Sequence, residues 1–548
     1  MGKFFSRFLL LLLVTVVSLI IYLSYFGINT DKFDDLIKNK ANEVNQNVEL
    51  EFQKTKIHLN LKELNLVVKL QNSKVLIRGN AIDLSKLDLF LSLKSFFSSD
   101  FLLKRAEVAF IENDIKDLTK ITNIFLPKFV NKKLNKIFAK GNIRGEFIIP
   151  FETDGSIGKD YGFTGKISDA SINLTKEFSI KNLTTEISNL EDNNTKGFEI
   201  IIKKGSMYDL ELAGTTINLK REKNEIKIKS LLRTNGKLNF SQIKKISALF
   251  GLNISNFKDI NGTADVKTNI NFDLDKQFSV KNLSYSMDGD IAYFEIHTDE
   301  KRIIKKYLPK YDSKIILKDT HIRLINSKSD HNTELSGFVK IEEDFDSFKI
   351  KEVYNYDKKS FKVDGIIDLT NSQVKVSQLN YKKKSGKKSE VSFNINFVLN
   401  KYYNINNLNF LAERNKINLS DIKLNKKFEV LDFKKLEIKT FLNEIKNNDF
   451  LVKKSEKVII SGQVFDAQPL LKSLYKKSDK KTFSKNFSSE IKINFDKALT
   501  GTNDDIFNFA MIASINKGSY VKLSSKGIFS ENEIVEMSIY QVDNDKKT

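Results

Sequence analysis

Ala264-Asp-Val-Lys-Thr-Asn-Ile-Asn-Phe-Asp-Leu-Asp275 decides how the rest of the chain is read. Ala264, Val266, Ile270, Phe272 and Leu274 fall on one side of a period of two, and Asp265, Lys267, Asn269, Asn271, Asp273 and Asp275 fall on the other. Such alternation specifies a β-strand with one apolar and one solvated face. The same period recurs in both directions along the chain. It appears at Ile57, Leu59 and Leu61, at Leu64, Leu66, Val68 and Leu70, and at Leu87, Leu89, Leu91 and Leu93. Towards the other end it returns at Val391, Phe393, Ile395, Phe397 and Leu399, and at Ile491, Ile493 and Phe495.

Helical spacing is confined to a few places. A short amphipathic segment is expected within 28–50, and helical insertions near 115–139, 240–251 and 466–476. Leu118, Ile121 and Phe125 carry the first insertion, with Pro127 breaking or bending it. Asp466 is the expected N-cap of the last, with Leu470, Leu471 and Leu474 turned inward. The strand-helix alternation of a parallel α/β domain is missing. The expected fold is mostly β: a long, curled, mainly antiparallel sheet over 51–548 with a few short helices.

The chain has 548 residues and only 4 Pro, so it is too long for one ordinary core and poor in material for Pro-rich linkers. One continuous body is favoured; about 25 strands at ~4.8 Å spacing would extend roughly 120 Å. A loose repeat fits growth by added hairpins: Phe178-Ser-Ile-Lys-Asn-Leu183 returns as Phe278-Ser-Val-Lys-Asn-Leu283, with relatives at Phe348–Val353 and Tyr403–Leu408. Their unequal spacing excludes a strict solenoid period.

The amino terminus sets the compartment. Phe8 to Phe26 is almost unbroken apolar sequence, about 28 Å long as a helix and close to the hydrocarbon thickness of a bilayer. The bulky Tyr25-Phe26 pair is unlike the small residues before a signal-peptide cleavage site. Residues 8–27 are therefore expected to be an uncleaved single-pass anchor. Lys3 and Arg7 precede it and Asp31, Asp34 and Asp35 follow, which leaves 1–7 in the cytoplasm and exports the bulk of the chain.

Catalytic readings find little support. With no Cys there are no disulfides, thiolate metal sites or cysteine nucleophiles. His58, His297, His321 and His331 are isolated in sequence, the first three on polar strand faces. The Gly-rich stretch Asp154–Gly165 lacks phosphate-loop spacing, since Lys159 is followed by Asp160. Glu342-Glu343-Asp344-Phe345-Asp346 lacks the Gly and terminal Glu of a calcium loop and reads as a solvated turn. No serine sits in a G-x-S-x-G elbow. No enzyme activity, metal or cofactor is expected. The net charge of +21 comes from lysines spread evenly along the chain; its densest run is Lys382–Lys388, at an expected hairpin turn. No nucleic-acid-reading motif accompanies it, so a solvated basic surface is favoured, contact with anionic lipid is the main alternative, and nucleic acid is not an expected partner.

What remains is one long apolar sheet face. Closed on itself it is a core; left open it lines a groove that demands an apolar ligand, and acyl chains suit its aliphatic and Phe side chains. The groove candidates are Leu87, Leu89, Leu91, Leu93, Val266, Ile270, Phe272, Phe393, Ile395 and Phe397.

The order of elements, with Leu64–Leu70, Val75–Gly79 and Leu87–Leu93 running into Ser95-Phe-Phe-Ser-Ser-Asp-Phe-Leu-Leu-Lys-Arg-Ala-Glu-Val108, resembles the opening of the AsmA-like family in its TamB and YhdP branch. Ile260-Asn-Gly-Thr-Ala-Asp-Val266 and Ile459–Leu471 are similar in style to later segments of that family. The resemblance is diffuse, covers most of the chain and carries over no catalytic residues. It implies a bridge-like lipid carrier of the Gram-negative envelope, anchored in the inner membrane, with phospholipid acyl chains moving along a periplasmic groove towards the outer membrane. The chain departs from larger members in stopping at Ser538–Asp543 and a charged tail, which implies a short member needing a partner or an incomplete record. A second expectation, of another class, is an outer-membrane protein assembly factor or scaffold acting by strand addition to envelope proteins.

Overall fold

The computed structural model describes residues 2–547 apart from 45–47, 78–79, 94–101, 118–135, 155, 157, 159–161, 193–194, 223–224, 250–253, 255–256, 278, 299–300, 399–400, 427, 476–486, 503, 530–532 and 544–545. Strands hold 68% of it and helices 12%, so the mostly β, mainly antiparallel expectation stands. The body divides into two compact units. The first comprises Met1–Asn235 with Lys267–Leu283, the second Gly236–Val266 with Ser284–Thr548.

The first unit begins with α1 (Gly2–Tyr25), in which Phe5–Tyr25 is long and apolar enough to cross a membrane. The helix ends at Gly27, whose φ of +69° is the left-handed cap conformation; the N–H groups of Phe26 and Gly27 both donate to the Tyr22 carbonyl. A Cβ at Gly27 would lie 2.6 Å from the Ile57 carbonyl oxygen, so this close approach selects glycine. Immediately afterwards β1 (Ile28–Asn29) pairs with Ile57 and Lys56. The apolar helix therefore passes into the sheet with no spacer.

The amphipathic segment is α2 (Asp34–Val44). It is followed by β2 (Lys54–Asn60), β3 (Asn65–Gln71), β4 (Asn80–Ser92), β5 (Leu103–Asp114), β6 (Phe138–Pro150) and β7 (Gly162–Asn173). Residues facing each other across an antiparallel ladder share a side of the sheet. Ile57 faces Val68, Val68 faces Leu89 and Leu89 faces Ala106, which turns the period-two residues into one apolar layer. Farther along, the Phe163 ring lies over Gly145 and Gly165, its aromatic face filling the space that two missing side chains leave. The repeat has a local meaning: Asn182 and Asn282 both take a left-handed φ, +51° and +53°, and a register shift flanks Asn182. Asparagine tolerates that conformation, and the bulge bends the strand.

Of the helix expected at 115–139, residues 115–117 and 136–137 are helical and the stretch between them, with Leu118, Ile121, Phe125 and Pro127, lies outside the described residues.

The second unit contains α3 (Phe240–Leu249), α4 (Lys301–Tyr307) and a ladder of β8 (Lys314–Asn326), β9 (Asp330–Lys340), β10 (Phe345–Asn355), β11 (Ser360–Asp368), β12 (Ser389–Val398), β13 (Tyr402–Ala412) and β14 (Asn415–Asn425). It continues through β15 (Lys435–Leu442), β16 (Ile445–Lys454), β17 (Val458–Asp466) and β18 (Ser489–Leu499). These neighbours pair antiparallel except β17 and β18, which run parallel because the connection crosses over through α5 (Gln468–Tyr475). Between β11 and β12 the chain leaves the sheet as a flap. There Val374–Val376 pairs with Tyr381–Lys383 around a single 3-10 turn, Ser377–Leu379.

Candidate functional site

The apolar face of the second unit is built in register. Ile350 and Gly365 face each other, as do Gly365 and Phe393, and Val363, Ile395, Ile405 and Ile422 follow one another across β11 to β14. The reverse face carries the polar set: Lys351 opposite Asp364, Lys362 opposite Asn396, and Asn394 donating to Asp364. The two faces therefore differ in character, with Glu352 opposite Val363 and the exposed Ile366 beside the polar set as exceptions.

One part of the apolar face is closed. Leu369, Val374, Leu379 and Tyr381 of the flap pack with Phe410, Ile417, Ile438 and Phe450 in a single buried cluster. The flap is held by polar groups that the alternation conceals. Asp466, 1% exposed, accepts hydrogen bonds from the side-chain amides of Asn380 (3.0 Å) and Asn447 (3.1 Å), and from the Gln468 N–H (3.1 Å). Asn447 and Asn448 both donate to the Leu379 carbonyl, at 3.1 and 2.8 Å. Thr440 completes the set, donating to Asn447 and accepting from Asn448. Asp466 is thus the expected N-cap of α5 and also the fastening of the flap.

Two sequence expectations are corrected at the other end of the flap. Lys383, within the lysine run read as solvated, is buried, and its ammonium donates to the carbonyls of Leu369, Thr370 and Ser372. Burial pushes its pKa down against the opposing pull of Asp346 and Asp368. The acidic group read as a solvated turn supplies anchors instead: Asp346 is buried and accepts from the Asn371 N–H, and Glu342 accepts from the Gln373 N–H at 2.6 Å. Burial raises the Asp346 pKa, an effect that the Asn371 N–H opposes. Consecutive backbone groups leaving a sheet need such partners, and short-range sequence patterns do not announce them.

The other part of the face is only half covered. Ile350, Val363, Ile395 and Ile405 are half-buried and stand outside the packed cluster. Phe393 and Phe397 share their side; the Phe393 ring lies over Gly365, and Phe397 stacks on Phe361 at 4.8 Å. Of the sequence candidates, Phe393, Ile395 and Phe397 are therefore gathered on one partly open surface. Val266, Ile270 and Phe272 are half-buried on the strand Phe257–Leu274.

Leu87, Leu89 and Leu91 lie in a packed cluster. They are buried, at 5%, 7% and 0% exposure, and pack with Ile57, Leu66, Val68, Phe33 and Ile37. Leu93 is partly buried against the same cluster. The reason is α2, which lays Ile37 on the sheet while Asp34 accepts a hydrogen bond from Thr55. These residues form a core, so Leu91→Ala is expected to destabilise the first unit by about 2–5 kcal/mol in denaturant unfolding, as buried leucine truncations do. Any phospholipid held by the second unit should be unchanged.

Three of the four histidines lie beside a carboxylate. His297 lies 2.8 Å from Glu295, whose carboxyl is held at about 2 by Lys314 first and by His297 and Tyr293 next. His321 pairs with Asp290 at 3.0 Å. His58 is half-buried, its pKa lowered by burial and by Lys69 and Lys56, and His331 is buried, 3.3 Å from Glu352. Among the described residues no three His, Asp or Glu side chains gather as metal ligands. No family model matches the chain, and none of the curated proteins or solved structures compared with it does.

Proposed function

We propose that this protein is a membrane-anchored lipid carrier whose second unit holds phospholipid acyl chains on the partly open stretch around Val363, Ile395 and Ile405. The observation that carries the reading is the division of one apolar face into a packed end under the flap and a half-covered end beside it. Apolar surface left in contact with water is unfavourable by roughly 25 cal/mol per Å², and a chain of CH₂ groups gains about 0.8 kcal/mol for each one buried there. Val363, Ile395 and Ile405 form an aliphatic run, with the Glu352 carboxylate facing Val363 at its β10 end and engaged by His331 at 3.3 Å; acyl chains lie along the run and headgroups stay in water. No bond is made or broken. The α1 helix supplies the anchor, and Lys3 and Arg7 near its N-terminal end favour a cytoplasmic N-terminus with the body in the periplasm. An inner-membrane, AsmA-like lipid carrier serving the outer membrane fits this arrangement.

A photoreactive amino acid placed at Val363 in the full-length protein is expected to crosslink phospholipid in cells. The same probe at Lys362, one residue along and on the polar side, is expected to crosslink none. Equal labelling at the two positions would refute the proposal.

A second reading, strand addition to an envelope protein, draws on one observation. The strand Ile534–Asp543 pairs with Ser519–Ile528 and leaves Ile534, Met537 and Tyr540 exposed. On that reading, deletion of the protein impairs particular outer-membrane proteins while lipid supply stays intact.

A further inference from the structure

One end of the second unit's ladder has a composition that a turn facing only water does not need. His331, Tyr354, Phe361, Phe397 and Tyr403 occupy facing positions on successive strands β9 to β13. Their rings follow at 5.3, 4.5, 4.8 and 5.6 Å between centroids, and Phe428 continues the row 4.7 Å from Tyr403. The next register row, Asp330, Asn355, Ser360, Val398, Tyr402 and Asn425, ends the strands. Beyond that row the chain turns, and Lys328, Lys358, Lys359, Lys401 and Lys426 lie there, all exposed. Their acidic neighbours are fewer and partly engaged: Glu429 accepts from Asn425 at 2.7 Å, Asp330 accepts from Ser329 and Asn332, and Asp357 is exposed.

The same end displays large apolar side chains. Phe428 is 41% exposed, and Val430 and Leu431 are 53% exposed each, with Tyr402 beside them at 42%. Phe428 stands in the turn, where Gly, Asn, Asp or Ser is usual, and Val430 and Leu431 follow on the short strand Val430–Asp432, which pairs with Leu424 and Lys423. Protruding Phe, Val and Leu amid lysines, backed by a row of rings, is the composition of a segment that sits at a membrane interface. A second copy docking through this end would bring lysines against lysines, which is repulsive.

We propose that this end of the second unit docks on an anionic phospholipid bilayer, with Phe428, Val430 and Leu431 entering the acyl boundary and the turn lysines pairing with lipid phosphates. The docking is independent of lipid carriage by the neighbouring face, because it is read by vesicle capture and not by lipid content.

The test holds full-length protein by α1 in nanodiscs of neutral phosphatidylcholine and measures co-flotation with separate vesicles. Vesicles of phosphatidylethanolamine and phosphatidylglycerol, 3:1 as a rough ratio, are expected to be captured at least tenfold better than phosphatidylcholine vesicles. Lys358→Glu, Lys359→Glu, Lys401→Glu and Lys426→Glu together should abolish that preference. Phe428→Ser, Val430→Ser and Leu431→Ser together should reduce capture at least tenfold with the charge unchanged. Equal capture of both vesicle types, or wild-type capture by both variants, would overturn the proposal. So would self-association of the wild type that the serine variant abolishes while neither protein captures vesicles, since the occupant would then be a second copy.

Discussion

Replacing Ile395 by aspartate is expected to empty the protein of phospholipid while leaving it folded. Ile395 lies at the middle of β12, flanked across the ladder by Val363 and Ile405, on the half-covered part of the apolar face. An ionised carboxylate there would have to lose water against an acyl chain, which costs several kcal/mol or prevents the chain from lying down. Each ~1.4 kcal/mol is a factor of ten in occupancy, so phospholipid recovered with the protein, counted by mass spectrometry, should fall at least tenfold. Folding loses less, because the side chain is half-buried and outside the packed cluster; a fall of about 2–4 °C in melting temperature is expected. Asn396→Asp, one residue along on the polar side opposite Lys362, serves as the control and should retain the wild-type lipid. Wild-type lipid in the Ile395→Asp protein would remove the acyl-chain reading of this face. Phe393 is a poorer probe, because its ring also covers Gly365 and its loss would mix binding with strand packing.

Why some of this was legible in the sequence and some was not follows from the range of each signal. Alternation is a property of neighbouring residues, and it located the strands through Leu87–Leu93, Ala264–Leu274 and Val391–Val398. The left-handed Asn of the repeat was visible as a recurring letter, although only coordinates reveal it as a bulge at Asn182. Period two identifies an apolar face but not what lies on it. The sequence around Leu89 and that around Ile395 have the same form, yet α2 covers the first and nothing in the packed cluster covers the second. The cover comes from chain segments distant in sequence: Ile37 lies over fifty residues before Leu91, and Leu379 packs near Phe450. Lys383 and Asp346 misled for a related reason. A charge in a polar run is normally solvated, and these two are buried because the flap leaving the sheet presents carbonyl and N–H groups with which they pair. Asn447-Asn448 was the one local hint. Two consecutive amides interrupt the alternation of β16, and both side chains are buried.

The same fastening yields the second large effect, in the opposite direction for lipid. Asp466→Ala leaves the Asn380 and Asn447 amides and the Gln468 N–H without their shared acceptor. Each buried donor left unsatisfied costs about 1–3 kcal/mol, so three lost bonds amount to about 3–9 kcal/mol. That loss falls on the hold between the flap and the sheet, because Asn380 belongs to the flap and Asn447 to β16. Local opening free energies are read by amide exchange. Protection of the flap amides around Leu379 and Tyr381 should fall at least a hundredfold, equivalent to ~2.7 kcal/mol, while amides around Tyr354 and Phe361, at the ends of β10 and β11 opposite the flap, stay protected. An open flap uncovers Phe410 and Ile417, which adds apolar surface to the stretch that already includes Val363 and Ile395. Asp466→Ala protein should therefore recover as much phospholipid as the wild type or more, whereas Ile395→Asp protein recovers little. General destabilisation would lower lipid in both variants, so the opposed signs distinguish a surface that binds acyl chains from a fold that merely weakens. Unchanged exchange in the flap of the Asp466→Ala protein would show that the aspartate is not its fastening.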